Sequence, residues 1–215
     1  MFILNKTNSI ASHFISELRD VTVQQDRMRF RTNLERLGML LAYEVSKTLE
    51  YKPNTVKTPM ANQEVQLIEN QPVLVTIMRA GLPFYQGFLN IFDQADNGFI
   101  GAFRGEYEKD HSFRIEMGYL VAPKLEGKTV ILIDPMLATG KSLVEAFEGL
   151  KSKYGTPKKV HVVAAISSQA GVDFVKENIK DVSVWTGAVD PELNQKSYIV
   201  PGLGDAGDLS FGEKA

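Results

Sequence analysis

Apolar residues recur every three or four positions over one long segment near the start of the chain. The stripe consists of Phe30, Leu34, Leu37, Leu41, Val45 and Leu49. This spacing predicts an amphipathic helix over residues 30–49, with an apolar face that is typical of core or subunit packing rather than of a cofactor site. Pro53, Asn54 and Pro59 follow the stripe and indicate a break in the helix.

From residue 72 onward the pattern changes to short apolar runs that alternate with helical segments. The predicted strands are 73–78, 99–103, 128–134, 159–166 and 182–186. The helices predicted between them are 82–92, 142–154 and 171–178. Strands that are apolar throughout predict a parallel sheet with helices on both faces. Such sheets bind ligands at the carboxyl ends of their strands, so the residues that follow each strand are the candidates for chemistry.

Composition and charge narrow the class of protein. The 215 residues include 44% hydrophobic residues, 24 basic and 26 acidic side chains, and no cysteine. One large α/β domain fits this length, and the lack of cysteine excludes disulfides, thiolate-ligated metals and a cysteine nucleophile. The N-terminus lacks the pattern of a signal peptide, and no apolar run reaches the ~20 residues of a membrane span. With a net charge of −2, we expect a cytoplasmic protein that binds neither membranes nor nucleic acid.

The residues after the third predicted strand form a candidate anion site. They are Asp134, Pro135, Met136, Leu137, Ala138, Thr139, Gly140, Lys141 and Ser142. Backbone N–H groups at a helix N-terminus attract phosphate, and Gly140 permits a close approach. An ordinary turn capped by Thr139 or Ser142 is the alternative interpretation. A kinase is not indicated, because the P-loop motif that ends in Gly-Lys-Ser requires glycine where Pro135 stands.

The stretch from Tyr198 to Asp208 is rich in glycine and contains two aspartates. Its composition predicts a loop rather than a helix or a buried strand. A surface loop is the simplest interpretation, but the density of glycine beside the acids favours a loop shaped around a ligand. Main-chain groups near Leu203 and Gly204 are suited to reading the hydrogen-bonding edge of a flat base.

Arg79 and Arg104 each follow a predicted strand at the same edge of the sheet. A guanidinium presents a planar set of donors that matches phosphate oxygens, and it stays charged at physiological pH. A single surface arginine is usually only solvated, whereas two in these positions favour an anionic ligand. The stretch between Gly105 and Gly118 is charged and has little core pattern.

Two of these segments resemble one family. Residues 134–142 resemble the phosphoribosyl-pyrophosphate (PRPP) loop of type I phosphoribosyltransferases, in the form that uracil phosphoribosyltransferases have. Residues 198–208 are similar to the uracil-binding signature of the same family. Ile133 stands where most other members of the wider class have a second acid. Lys141 departs from the pattern, since the uracil enzymes usually have glycine there.

The resemblance implies an α/β fold of the type I phosphoribosyltransferase class, with a central, mostly parallel sheet flanked by helices. The chain would then divide into a helical arm (1–60), a PRPP-binding core (72–187) and a uracil-binding segment (188–215). The resemblance also implies that the stretch between Gly105 and Gly118 is a lid that closes over PRPP and excludes water. The implied reaction is transfer of the 5-phosphoribosyl group from PRPP to N1 of uracil, which gives UMP and pyrophosphate.

The resemblance also assigns roles to particular residues. The catalytic candidates are Asp205, Arg79 and Asp134. The PRPP-binding candidates are Arg79, Arg104, Asp134, Pro135, Met136, Leu137, Ala138, Thr139, Gly140, Lys141, Ser142 and Asp205. The uracil-binding candidates are Ile199, Gly204, Asp205 and Ala206, which would act largely through the main chain.

The implied cofactor is Mg2+, carried mainly by PRPP, so that no dedicated metal site is expected in the protein. The implied partners are the two substrates, a possible GTP effector and further copies of the chain in a homo-oligomer. Two other functions stay open. A PRPP-sensing regulator that binds RNA is disfavoured by the net charge of −2. A phosphoribosyltransferase for orotate or a purine would be expected to have a second acid at position 133.

Overall fold

The structure is a computed structural model and describes residues 1–107 and 113–213. Its strands are β1 (Phe2–Ile3), β2 (Tyr51–Lys57), β3 (Asn62–Ile68), β4 (Val73–Met78), β5 (Asp96–Tyr107), β6 (Phe113–Val121), β7 (Thr129–Ile133), β8 (Met136–Leu137), β9 (Lys159–Ser168), β10 (Ser183–Asp190), β11 (Glu192–Leu193) and β12 (Ile199–Val200). Its α-helices are α1 (Ala11–Arg19), α2 (Arg27–Ser46), α3 (Gly81–Leu89), α4 (Lys141–Tyr154), α5 (Gln169–Asn178) and α6 (Ala206–Phe211). Among these residues no helix is both long and apolar enough to cross a bilayer.

The central sheet has eight strands in the order β1-β10-β9-β7-β4-β5-β6, with β8 paired to β9. Neighbouring strands are parallel except for β5 and β6, which are antiparallel. The mostly parallel sheet predicted from the sequence is therefore confirmed. The carboxyl ends of β4, β7, β9 and β10 meet along one side of this sheet, which we call the carboxyl edge.

Alternate residues of the central strands take part in two separate cores, because successive side chains of a strand point to opposite faces. Leu74 and Ile131 belong to the core shared with α1, α2 and α3. Their neighbours Val73 and Val130 belong to the core shared with α4 and α5. Burial on both faces explains why these strands are apolar throughout and could be located from the sequence.

Elements near the N-terminus differ from the prediction. Helix α2 contains the predicted stripe but ends at Ser46, so Leu49 lies beyond it. The region of Pro53 and Pro59, expected only to break the helix, contains the antiparallel hairpin of β2 and β3. Strand β1 pairs with β10 at the outer margin of the sheet. The pattern did not reveal these strands, because the hairpin is almost wholly exposed and β1 has two residues.

Strands β5 and β6 extend into the stretch between Gly105 and Gly118 that was expected to form a lid. They pair antiparallel, with Tyr107 opposite Phe113. Residues 108–112, the middle of the expected lid between Gly105 and Gly118, lie outside the described residues. The lid therefore stays a prediction.

Helices α2 and α3 cross with their backbones nearly in contact. A Cβ atom on Gly38 would lie 2.2 Å from the carbonyl oxygen of Phe84, and one on Gly87 would lie 2.1 Å from that of Glu35. Both distances are too short for any side chain, so the two glycines set how closely the helices approach.

Replacing Gly87 with alanine is expected to lower the free energy of unfolding by about 1–3 kcal/mol, because the helices must separate to admit the methyl group. The control is Gln86→Ala, an exposed neighbour on the same helix, for which a change within about 0.5 kcal/mol is expected. Urea unfolding of both variants measures the difference. A Gly87→Ala protein as stable as the wild type would contradict the close crossing.

Candidate active site

The loop after β7 is held as an extension of the sheet. The N–H of Asp134 donates to the carbonyl oxygen of Val163 at 3.1 Å. The carbonyl oxygen of Pro135 accepts from the N–H groups of Ala165 and Ile166, at 3.1 and 3.0 Å. Strand β8 then pairs in parallel with β9. The backbone of this loop is therefore fixed by bonds to a buried strand.

Helix α5 packs against the other side of the same loop. A Cβ atom on Gly171 would lie 2.2 Å from the carbonyl oxygen of Ala138. The Ser168 hydroxyl donates to that oxygen at 2.6 Å and accepts from the N–H of Gly171 at 2.8 Å. Gly140, which turns the chain into α4, has φ +77°, a conformation that favours glycine. A Cβ there would lie 3.0 Å from the carbonyl oxygen of Gly171.

The N-terminus of α4 presents backbone N–H groups at the carboxyl edge. The first hydrogen bond into the helix runs from the N–H of Val144 to the carbonyl oxygen of Gly140. Among the described residues, the only contact of the preceding N–H groups, 141–143, is a long one of 3.4 Å from Lys141 N to Thr139 Oγ1. This leaves most of the donors of the first turn available, and the helix dipole adds partial positive charge. The arrangement suits an anion better than it suits a capped turn.

Asp134 is the acid of the loop and directly follows β7. Burial raises the pKa of this carboxyl to about 7, and a long hydrogen bond of 3.4 Å from the N–H of Met136 opposes the shift. The group therefore holds a proton over part of the physiological pH range in the free protein. A cation beside it would favour the ionised form.

Arg79 follows β4 and reaches the C-terminal segment. Its Nη2 lies 3.3 Å from Oδ1 of Asp208 and 3.4 Å from the carbonyl oxygen of Gly212. Its side chain is 42% exposed, so the guanidinium has donors left for a ligand. The peptide bond between Met78 and Arg79 is cis.

The C-terminal segment contains a short helix where the sequence predicted only a loop. Strand β12 pairs with β11, and α6 follows after a turn. The prediction of a loop is wrong at Ile199–Val200, which form β12 with Ile199 buried. It is also wrong for the first residues of α6, because Asp205 caps that helix. Its Oδ1 accepts from the N–H groups of Gly207 and Asp208, at 2.8 and 3.0 Å, and such a cap stabilises a helix start. The glycines with positive φ, Gly202 and Gly204, precede the helix.

Two ion pairs attach the C-terminal segment to the ends of two different strands, β4 and β10. Asp208 pairs with Arg79 after β4. Arg19, at the end of α1, makes two bonds of 2.7 Å to Asp190 at the end of β10. Gly202 joins the second pair: its N–H donates to Asp190 and its carbonyl oxygen accepts from Arg19, both at 2.9 Å. Because β9 and β7 lie between β10 and β4, the segment crosses the ends of these strands.

Sequence reasoning singled out Arg79 but missed Arg19 and Asp190, and it predicted neither of the two pairings. Arg79 and Asp208 are 129 positions apart, and Arg19 is 171 positions from Asp190. No local pattern marks partners at such distances. Only the alternation of strands and helices, which places strand ends together, gives an indirect signal.

Most of the predicted site residues lie along the carboxyl edge. Residues 134–142 follow β7, Arg79 follows β4, and Asp205 caps α6 with Ala206 as its first residue. Ile199 is buried in β12, and Gly204 is exposed. Arg104 does not follow a strand as predicted but lies inside β5, three residues beyond the last pair that β5 forms with β4. The structure describes only its backbone.

Comparison with known proteins gives a consistent result. A family model described as "Uracil phosphoribosyltransferase" matches residues 5–213. The uracil phosphoribosyltransferase of Porphyromonas gingivalis is 45% identical over 212 residues, which cover 98% of this chain and 97% of the relative. That of Pyrococcus furiosus is 40% identical over 202 residues, covering 93% and 84%. A solved structure from Aquifex aeolicus superposes with a TM-score of 0.84 at 33% identity and covers 96% of each chain.

Substituting Asp134 with asparagine is expected to change how stability depends on pH. The folded protein retains a proton on Asp134 up to about pH 7, whereas the unfolded chain loses it near pH 4. Other titrating groups, such as the buried His161 with its lowered pKa, act alike in both proteins. The contribution of Asp134 to the free energy of unfolding, by contrast, falls as pH rises from about 4 to about 7. The substitution removes this contribution, which is on the order of 4 kcal/mol at most.

Urea unfolding of both proteins at pH 4.5 and pH 8, without ligand, measures the effect. On going from pH 4.5 to pH 8, we expect the free energy of unfolding of Asp134→Asn to increase relative to that of the wild type. A parallel pH dependence in the two proteins would contradict the shifted pKa.

Proposed function

The chain belongs to the uracil phosphoribosyltransferase family, and on that premise we propose that it transfers the 5-phosphoribosyl group from PRPP to N1 of uracil. A bond forms between N1 of the base and C1 of the ribose, the bond from C1 to pyrophosphate breaks, and the N1 proton is lost. The products are UMP and pyrophosphate. One observation carries the proposal: an open helix N-terminus and a glycine-rich segment lie along the same carboxyl edge, held to β9 and to β10 respectively.

The anionic substrate fits the loop between β7 and α4. The N–H groups of residues 141–143 suit the 5-phosphate of PRPP, and the exposed ammonium of Lys141 adds positive charge beside them. Arg79 and Arg104 are assigned to the pyrophosphate, whose departure a guanidinium favours by compensating the developing charge. In the free protein Arg79 is paired with Asp208, so we propose that the substrate replaces that carboxylate.

The base fits the segment that precedes α6. Ile199, Gly204 and Ala206 are assigned to uracil through their main-chain groups. Asp205 commits Oδ1 to the cap of α6, which leaves Oδ2 for PRPP or for orienting the base and assisting the loss of its N1 proton. Holding two substrates side by side supplies a large part of the rate enhancement in such transfers.

The residues present fit Mg2+ that arrives with PRPP. Within residues 1–107 and 113–213 no group of three or more His, Cys, Asp or Glu residues could enclose a metal ion. Asp134 is the carboxylate of the loop, and its raised pKa makes it sensitive to a nearby cation. When bound, Mg2+ would neutralise charge on the pyrophosphate, and it commonly keeps most of its water ligands.

The remaining proposals concern assembly, regulation and location. The hairpin of β2 and β3 is almost wholly exposed, and a two-stranded hairpin alone is marginally stable in water. A second copy of the chain that covers it would stabilise it, which supports a homo-oligomer. The division into arm, core and uracil-binding segment and the activation by GTP are carried over from the resemblance, and the cytoplasmic location is carried over from the composition.

Purified protein given radiolabelled uracil, PRPP and Mg2+ is expected to form UMP. Orotate and purine bases are expected to give no product, and removal of Mg2+ with a chelator is expected to stop the reaction. Chromatography of the labelled products measures the yield, with GTP included in a parallel series. Absence of UMP in every series would overturn the proposal.

Asp205→Asn tests the proposed role of this residue, because asparagine caps a helix about as well as aspartate. We expect the turnover number to fall about 100-fold, the scale of a lost proton-transfer group, with little change in the thermal midpoint. Asp205→Ala is the comparison variant and additionally loses about 1 kcal/mol of capping energy. Wild-type turnover in Asp205→Asn would exclude a role for the charge.

A further inference from the structure

The turn at Gly202, within the C-terminal segment, is held by hydrogen bonds from the N-terminal helices. Arg19 bonds both to Asp190 and to the carbonyl oxygen of Gly202. Asp190, with a side chain 6% exposed, in turn accepts from the N–H of Gly202. These four hydrogen bonds join Arg19, Asp190 and Gly202 in a ring, which fixes both the N–H and the carbonyl group of Gly202. Gly202 has φ +59°, and a Cβ there would lie 2.1 Å from the carbonyl oxygen of Ile199. The turn therefore has no room for a side chain at this position.

A second side chain holds the next peptide group. Gln24 is 8% exposed and lies in the turn between α1 and α2. With its amide oriented so that the nitrogen faces two carbonyl oxygens, it donates to Leu18 at 3.1 Å and to Leu203 at 2.8 Å. This orientation satisfies a buried amide that would otherwise have no partners. The carbonyl oxygens of two successive residues, Gly202 and Leu203, are thus both directed at the N-terminal helices.

The direction of these carbonyl groups sets the direction of the N–H groups that follow. In a trans peptide the C=O of one residue and the N–H of the next point in opposite directions. The N–H groups of Leu203 and Gly204 therefore point away from Arg19 and Gln24. Neither has an acceptor in the part of the chain that the structure describes, and Leu203 is only 3% exposed. Buried N–H groups are rarely left without a partner, so the N–H of Leu203 indicates an acceptor on a ligand. Gly204 is exposed, so its N–H is accessible to the same ligand.

We propose that Arg19 and Gln24 are positioning residues for the base: they fix the peptide planes that direct the N–H groups of Leu203 and Gly204 at its carbonyl oxygens. Neither side chain contacts the base itself. This inference rests on the proposed function, because it identifies uracil as the ligand whose oxygens those N–H groups bind.

The principal variant is Arg19→Lys. A lysine keeps the positive charge opposite Asp190, but it lacks the planar fork that also reaches Gly202. The second variant, Gln24→Leu, replaces the amide with an apolar side chain of similar size and leaves the oxygen of Leu203 without its donor. The matched control is Arg29→Lys. Arg29 on α2 makes two hydrogen bonds to Glu17 on α1. This pair is more exposed than that of Arg19 and does not touch the C-terminal segment.

Steady-state kinetics separate positioning from a purely structural role. We expect the uracil KM to rise about tenfold in Arg19→Lys and in Gln24→Leu, the scale of one lost hydrogen bond. The PRPP KM is expected to stay within about twofold, because the anion loop is held independently by β9 and α5. A loss of thermal stability with an unchanged uracil KM, or an equal rise in both KM values, would overturn the proposal. If Arg19→Lys does not fold, Gln24→Leu alone decides the kinetic test.

Amide hydrogen exchange gives a readout that does not depend on activity. The N–H of Gly202 donates to Asp190 in the free protein, and we expect it to exchange at least about tenfold faster in Arg19→Lys but unchanged in Arg29→Lys. Unchanged exchange in Arg19→Lys would show that Arg19 does not hold the turn. If the wild type forms no UMP, the proposed function fails, and the exchange result still decides whether Arg19 fixes this backbone.

Discussion

Along one side, strand β9 pairs first with β7 and then with the loop that follows β7. This pairing determines where the candidate site forms. The first half of β9 pairs with β7, and its second half continues past the end of β7 to bond Pro135 and β8. On the opposite side it pairs with β10 along most of its length. A strand held on both sides cannot shift easily, so the loop bonded to it is held as well. Backbone donors that are already in place bind an anion without the cost of reorganisation.

The two regions proposed to bind the substrates are held by different parts of the molecule. The loop between β7 and α4 depends on β9 and on the close approach of Gly171 to Ala138. The turn at Gly202 depends on α1, on the end of β10 and on Gln24. A largely buried ion pair such as that of Arg19 and Asp190 adds little net stability once desolvation is counted, but it fixes an orientation. The N-terminal helices thus contribute geometry to a site formed mostly by distant sequence.

The sequence predicted those elements whose signal is local. Strands β4, β7 and β9 were located to within about two residues because both of their faces are buried, and the anion loop was found from its motif. The hairpin of β2 and β3 and strand β1 were missed, since neither has a buried alternating face. Helix α6 was missed because the cap from Asp205 outweighs the glycines around it. The partners of Arg19 and of Arg79 could not be predicted, because they come together only when the sheet has formed.

The pairing of Arg79 with Asp208 has a consequence for the electrostatics of the carboxyl edge. Without a partner, the guanidinium of Arg79 would attract small anions from the solution. Here an internal carboxylate neutralises it, while the exposure of both groups keeps their attraction below about 1 kcal/mol. A ligand with several negative charges displaces so weak a competitor readily, whereas a singly charged ion gains little by doing so. For this reason the pair favours multiply charged anions over singly charged ones at Arg79.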